Sequence, residues 1–542
     1  MKKSVLVISL LVCGLAVVAC QKNKEPGEQE ESYNIVRPSF DGNFTTYAAS
    51  EKPSGVNMTY YSDIYSRGFS WITDTTVRDT KLYLVESDKG EQADFSNTTP
   101  VDGTSLQVTY EKDGDFVTED GSIATYRGKS TNDYELSVVS HKVHVENLEK
   151  GKAYSYKIGS GQGWAYGAFV VEKEAPKNIT AIEMSDAQTK DPSKLNVWRN
   201  TFTHAVEKAG KNLDMVLYNG DQFDQNITKV NSSDSYKPNR FLCYAKALDV
   251  IYDYKIDIPY MASSGNHERT APYSQYLMGD IDYAGIAATG CYYSYDYNFA
   301  HFVILNSYDV TDQEIEWLKA DLDSASSAKW KIVMLHISPY STGDNSNSSD
   351  NQAIVEKLTP IFSQKHVDFV LQAHDHTYNK TLPYKWDAAG YSTTWNNEEV
   401  VNFEPETQTI DNIEYDKNPN GTYYVTTGAA GHRCGAEESD GIWSEVIKEG
   451  DEYKGLNPSK TFLSNKYKIE LGKIKYDNQY EPYTFSSYPS DQHYEVGDLA
   501  TGNVNAQMFG VLNLTETTLD YDVYTVNDDT VKLFDSLNVL KA

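Results

Sequence analysis

Seven side chains decide what chemistry this sequence can do. Asp186 stands in Met-Ser-Asp-Ala-Gln, Asp221 in Asn-Gly-Asp-Gln-Phe-Asp, Asn266 and His267 in Ser-Gly-Asn-His-Glu, His336 in Met-Leu-His-Ile-Ser-Pro, and His374 and His376 in Ala-His-Asp-His. Each group follows an apolar run and begins a loop. Taken singly they are weak signals, because a Gly-Asp or Asn-His pair is usually a turn and a strand-end histidine is usually structural. Taken in order, and with His267 set aside, they supply two carboxylates, one amide and three imidazoles, an oxygen and nitrogen donor set suited to two borderline divalent ions. Asp221 could bridge the two.

Such residues meet only if the chain brings strand ends together. After Pro176 the pattern does this: Ile179 to Ser185, Met215 to Asn219, Ile258 to Ser263, His301 to Asn306, Lys331 to His336 and Val367 to Gln372 read as buried strands. Between them, Asn196 to Ala209, Phe241 to Tyr252, Asp312 to Leu322 and Gln352 to Gln364 carry apolar residues at helical spacing. Alternation of this kind predicts an α/β sheet layered with helices, whose strand carboxyl ends line one crevice. Residues 36–175 instead show short alternating segments between Gly, Asp and Asn turns, the pattern of an all-β sandwich. Within them, His141 and His144 are read as a pair on one strand face, more in keeping with packing than with a metal site. Two polar, aromatic-rich stretches, 386–419 and 435–486, read as insertions near the site. Residues 505–540 return to alternating strands that would pair onto a second sheet or an edge.

The 542 residues carry 48 Lys and Arg against 78 Asp and Glu, a net charge of −30. That surface repels phosphate backbones and argues against a nucleic-acid partner. It would also slow an anionic substrate, unless bound cations concentrate positive charge at the site. Lys2 and Lys3 precede an apolar run from Val5 to Ala19, too short to span a membrane but suited to an export signal over residues 1–19. The run ends in Val17-Val18-Ala19-Cys20, which resembles a bacterial lipobox; the resemblance implies lipidation of Cys20 and a cell-envelope lipoprotein at the periplasmic face or cell surface. Residues 20–35 are polar and read as a flexible tether. Cys243, Cys291 and Cys434 remain, enough for one disulfide at most and without a CxxC pair.

The ordered blocks, together with Trp317-Leu-Lys, Tyr378 after His-x-His and Gly421-Thr-Tyr-Tyr-Val-Thr-Thr-Gly428, closely resemble the calcineurin-like metallophosphoesterases over nearly all of residues 40–540. Within that superfamily the purple acid phosphatase branch is the nearest in pattern. Gly68-Phe-Ser-Trp-Ile-Thr73 and His141 to Leu148 likewise resemble the fibronectin-type-III-like domain that precedes the catalytic domain of that branch. The resemblance implies an all-β sandwich over 36–175, followed over 176–542 by an α/β metallophosphoesterase domain with a β-sandwich core layered with helices. By position, Asp186, Asp221 and His376 would hold a first metal, and Asp221, Asn266, His336 and His374 a second. The ions would be divalent or trivalent Fe, Zn or Mn. Three departures stand out. Asp224 replaces the Tyr whose phenolate binds iron in purple members, so no purple colour is expected. Gln188 replaces a histidine ligand, leaving a gap in the first metal's shell for Gln188, Asp224 or water to fill. Ala373 replaces a glycine, which is acceptable only if the backbone there does not need positive φ.

The function so implied is hydrolysis of a small-molecule phosphate monoester by in-line attack of a metal-bridging hydroxide, with His267 protonating the leaving group and Glu268 orienting the imidazole. His432 and Arg433, after the last catalytic strand, are candidates to reach substrate phosphate, and Tyr378 to wall its pocket. The alternatives are a phosphodiesterase or nucleotide pyrophosphatase on the same fold, and a catalytically silent surface-binding lipoprotein.

Overall fold

The computed structural model describes residues 50–542 except 111–114, 119–122, 126–135, 162, 190–191, 224–239, 254–257, 269–277, 288, 341–347, 377, 382, 387–399, 403–404, 432–445, 450–451, 457–474, 477–478, 481–496, 499–502, 505 and 528. Cys20, Asp224, His432 and Arg433 therefore lie outside the described residues, as do residues 387–399 and 403–404 of the first stretch read as an insertion and most of the second.

Two eight- and seven-stranded sheets form the centre of the α/β part. In the first, Ile179–Met184, Met215–Tyr218 and Tyr260–Ala262 run parallel. In the second, Ala300–Ile304, Trp330–Ile337, Phe369–Ala373 and Tyr423–Thr427 run parallel. Strand residues alternate between two cores, as the period of a strand requires. Ile179, Ala181, Met215 and Leu217 share an inter-sheet core with Phe302, Val333 and Leu371. Ile182, Met184, Val216 and Tyr218 turn the other way, against Trp198 and Phe202 of the helix Pro192–Ala209 and Ala247 and Leu248 of the helix Arg240–Asp253. Strands buried on both faces explain the near-continuous apolar runs in the sequence.

The structure departs from expectation in several places. Gln507–Leu514 pairs antiparallel with Ile179–Met184, so the C-terminal strands enter the middle of the first sheet and not the second sheet or an edge. Its partner is more than 300 residues away, and nothing local in the sequence marks that pairing. Residues Glu406–Ile410 and Ile413–Lys417, inside the first expected insertion, form a hairpin on the far edge of the same sheet. The helix expected over Gln352 to Gln364 is two, Ser349–Lys357 and Thr359–Gln364, with Pro360 in the first turn of the second, where its missing N–H costs nothing.

Ahead of this part lie a six-stranded and a four-stranded sheet. Val56, Phe69, Trp71 and Val143 of one share a core with Leu82, Tyr156, Ile158 and Phe169 of the other. His141 and His144 are three positions apart on Leu136–Val145 and so point to opposite faces. His141 is buried and stacked on Trp71, its nitrogens each 2.8 Å from Thr73 and Thr80 Oγ1, and burial lowers its pKa to about 4. His144 stacks outside on Tyr61.

The six-stranded sheet also grips the chain that leaves the candidate site. Three consecutive carbonyls are held by its side chains: Asn57 Nδ2 donates to Met278 O at 2.6 Å, Lys142 Nζ to Gly279 O, and Thr59 Oγ1 to Asp280 O at 2.6 Å. Gly68 makes this contact possible, because a Cβ there would stand 1.8 Å from Asp280 O. We expect Gly68→Ala to destabilise the protein by about 1–3 kcal/mol, the usual cost of forced overpacking, measured by urea unfolding.

His301, on Ala300–Ile304, sits between Asp296 at 2.7 Å and Asp321 at 2.8 Å. Burial opposes its charge, but both carboxylates raise its pKa to about 9. Because the folded value lies above the ordinary histidine value, the stabilisation is complete below about pH 6.5 and is lost as pH rises through about 9. His301→Gln is expected to cost on the order of 2 kcal/mol at pH 6 and markedly less at pH 10, read from unfolding midpoints at the two pH values.

Candidate metal centre

Two loops carry the first carboxylates and are zipped side by side. Beyond the parallel strands, Asp186 N donates to Gly220 O, Gln188 N to Asp221 O and Thr189 N to Gln222 O, each at 3.0 Å. The pairing sets Asp186 and Gln188 beside Asp221. Asp186, Gln188, Asp221 and His374 all have positive φ, between 44° and 75°. Backbone strain of that kind, gathered at one place, is characteristic of functional sites. Ala373 is not among the positive-φ residues, since the left-handed turn falls one residue later at His374. The replacement of glycine at 373 is thereby accommodated.

Asp221 is buried at the centre. Its Oδ1 accepts the main-chain N–H of His267 at 2.8 Å; its Oδ2 lies 3.4 Å from His336 Nε2 and 3.6 Å from His267 Nε2. Burial disfavours its charge, yet the imidazoles of His267 and His336 hold its pKa well below the usual carboxylate range. Asp221, His336 and His374 place ligand atoms within 4.8 Å of one another. Gly265 permits this crowding: a Cβ there would come 2.2 Å from Asp221 Oδ1.

His336 closes the site from the second sheet. Its Nδ1–H donates to Asn219 O at 2.7 Å, which points Nε2 inward, 3.2 Å from Asn266 Oδ1. When Nε2 carries no proton, three electron-pair donors converge on that point: Nε2, the Asp221 carboxylate and the Asn266 amide oxygen. Burial opposes a charge on His336, but the Asp221 carboxylate raises its pKa to about 9. A point ringed by such donors suits a cation. His374 is half-buried, and desolvation together with the His336 charge lowers its pKa to about 4. On the other side of Asp221, His376 Nε2 is 3.3 Å from Asp186 Oδ1 and 3.2 Å from Gln188 Nε2.

Asp186, Gln188, Asp221, Asn266, His267, His336, His374 and His376 are thus one cluster. Two other expected site residues point elsewhere. Glu268, expected to orient the His267 ring, accepts from three main-chain N–H groups instead: Asp221 at 2.8 Å, Gln222 at 2.9 Å and Gly265 at 2.9 Å. It braces two site loops against each other, because a buried carboxylate beside three amide donors satisfies all of them at once. Burial, then the Asp221 charge, raise its pKa to about 8. Tyr378, expected to wall a pocket, is buried on Tyr378–Lys380, donates to Asp535 at 2.6 Å and packs edge-on to Phe534.

Two residues escaped the sequence reading. Asn219 orients His336 through its carbonyl, while its side chain accepts from Ser263 and donates to Leu371 O. Its position directly before Gly-Asp at a strand end was the available signal. Tyr308 sets its ring edge-on to His374, 6.2 Å between centroids, and 6.4 Å from His336. Only the loop after Ala300–Ile304 brings it there.

Residues 183–378 match the model of the calcineurin-like phosphoesterase family, a stretch that holds every member of the cluster. Acid phosphatase type 7 of Danio rerio is 25% identical over 342 residues, 56% of this chain and 66% of that protein. The Homo sapiens acid phosphatase type 7 is 25% identical over 320 residues, 54% and 64% of the two chains. The chain thus spans just under two thirds of the length of these curated relatives. Among solved structures, purple acid phosphatase PPD1 from yellow lupin (Lupinus luteus) seeds superposes with a TM-score of 0.56 at 14% identity, covering 91% of this chain and 75% of that one. At that identity the likeness is one of fold: the α/β part has the metallophosphoesterase architecture.

The brace formed by Glu268 can be tested directly. Gln in its place keeps one acceptor oxygen and turns an NH2 toward main-chain N–H groups. Glu268→Gln is expected to cost about 1–3 kcal/mol in urea unfolding, the range for leaving a buried main-chain donor without its acceptor. A change below ~0.5 kcal/mol would contradict the bracing role.

Proposed function

We propose that this chain, whose residues 183–378 match the calcineurin-like phosphoesterase family, is an exported, dinuclear-metal hydrolase of phosphate monoesters. One observation carries the reading: the ligand atoms of Asp221, His336 and His374 lie within 4.8 Å of one another, with Asn266 Oδ1 3.2 Å from His336 Nε2 and His376 Nε2 3.3 Å from Asp186 Oδ1. In this reading Asp186, Gln188, Asp221 and His376 hold one cation, and Asp221, Asn266, His336 and His374 a second. Bound divalent ions at that place would supply Lewis-acid activation of water and neutralise charge building on a phosphoryl group. The rest falls to the chain itself.

His267 is anchored at its main-chain N–H by Asp221, while its buried ring lies with Nε2 3.6 Å from Asp221 Oδ2 and 3.4 Å from Gln188 Nε2. From there it would pass a proton to the departing alkoxide. His336 and Asn219 keep the donor geometry rigid, and Glu268 fixes the loops that carry Asp221 and Asn266. His432 and Arg433 follow Gly428 to Gly431, where Ala430 N donates to Ser185 O next to Asp186. That course supports a contact of the two with substrate phosphate. The acid phosphatase names of the relatives favour a monoester substrate. The two N-terminal sheets with their shared core support a fibronectin-type-III-like sandwich over 36–175, with the catalytic domain over 176–542. The apolar run before Cys20 supports export and a lipid anchor.

The test is elemental analysis of the purified chain alongside hydrolysis of p-nitrophenyl phosphate and its bis-ester. Two ions per chain and faster monoester hydrolysis are expected. His267→Ala should lower kcat about 10²–10⁴-fold with metal retained, whereas Asn266→Ala should lose metal and activity together. Faster diester hydrolysis would move the reading to a phosphodiesterase. Two ions with neither ester cleaved would favour a binding protein.

A further inference from the structure

We infer that the two cation positions are chemically unequal, one held tightly and one weakly, and that the Gln188 amide makes them so. The inference rests on the dinuclear reading above and deepens it. In that reading Asp221 is shared between two sets of donors. On one side stand His336, His374 and Asn266, with His336 Nε2 3.2 Å from Asn266 Oδ1. On the other stand Asp186, His376 and Gln188, within 3.2–3.3 Å of one another through His376 Nε2. The first side offers two imidazoles, one amide oxygen and the shared carboxylate. The second offers one imidazole, one further carboxylate and the Gln188 amide.

The amide is turned the wrong way for a ligand. Gln188 Nε2, which has no lone pair to donate, faces Asp221 Oδ2 at 3.4 Å, His267 Nε2 at 3.4 Å and His376 Nε2 at 3.2 Å. Its Oε1 is buried and has no hydrogen-bond partner among the described residues. The backbone cannot withdraw the side chain, because Gln188 N is tied to Asp221 O. A half-turn of the amide interchanges the two atoms, brings the oxygen to face the cluster and gives up the Nε2–H to Asp221. A cation on this side must therefore displace a hydrogen bond to its own carboxylate ligand and gains only a neutral oxygen in return. The oxygen-rich donor set suits Mn²⁺ or Mg²⁺, and the nitrogen-rich set suits Zn²⁺ or Fe²⁺.

Calorimetric titration of the metal-stripped full chain with Zn²⁺ and with Mn²⁺, plus elemental analysis after chelator dialysis, tests this without reference to activity. One Zn²⁺ per chain should survive dialysis, and the second ion should bind about 10–100-fold or more weakly. Gln188→His should tighten the weak step about 10-fold or more and leave the tight step unchanged. Asn266→Ala should do the reverse, loosening the tight step alone. Two equal steps in the parent would overturn the inference, whatever the variants do. So would two unequal steps that Gln188→His leaves untouched, since the asymmetry would then have another source. In both cases the dinuclear reading stands. Failure to bind a second ion under any condition overturns both.

Discussion

The burial of two carboxylates at the ends of neighbouring parallel strands is the constraint on which the rest of the site depends. Asp186 and Asp221 are removed from water, and an uncompensated charge there would be prohibitive. Compensation comes from every side: imidazoles across the sheet boundary, the His267 main-chain N–H and the His374 N–H at 3.2 Å from Asp186 Oδ2. A cluster that keeps both carboxylates ionised while imidazoles and the Asn266 amide oxygen face the same space is poised for cations. The strained backbone at Asp186, Gln188, Asp221 and His374 follows from the same demand, because only left-handed turns bring four such side chains to one point.

That demand reaches outward into the fold. Glu268 ties the Asp221 loop to the Asn266 loop, and the N-terminal sheet then holds the chain at residues 278–280 through Asn57, Lys142 and Thr59. The N-terminal sheets are thus fastened to the segment that runs on from His267. The C-terminal strands act on the opposite side, where Gln507–Leu514 lies against Ile179–Met184 and stiffens the strand that delivers Asp186. The chain's net charge of −30 means that, in the proposed reading, bound cations would have to reverse the charge locally before an anionic substrate could approach.

Much of this was legible in the residues alone. The apolar runs ending in Asp, Asn and His marked the strands and their carboxyl ends, because a doubly buried strand leaves a continuous apolar signature and its loop begins where polarity returns. The identity and order of the clustered residues were visible for the same reason. The direction in which individual side chains turn was not. Glu268 sits next to His267 in sequence but spends its oxygens on main-chain donors from another loop; Tyr378 follows His376 yet faces Asp535. His141 and His144 show the limit most simply, since an odd spacing along a strand sends them to opposite faces.

What the sequence by itself determined was the chemistry on offer, namely which donors exist, in what order, and at which strand ends. What only the tertiary structure decided was their distribution about Asp221, the orientation of the Gln188 amide, and the insertion of the C-terminal strands beside the first catalytic strand. The reason is physical. Apolar periodicity is a local property, written within a few residues, whereas a hydrogen bond between Ala181 and Leu512 strands, or between a carboxylate and the backbone of a distant loop, is settled by the packing of the whole chain.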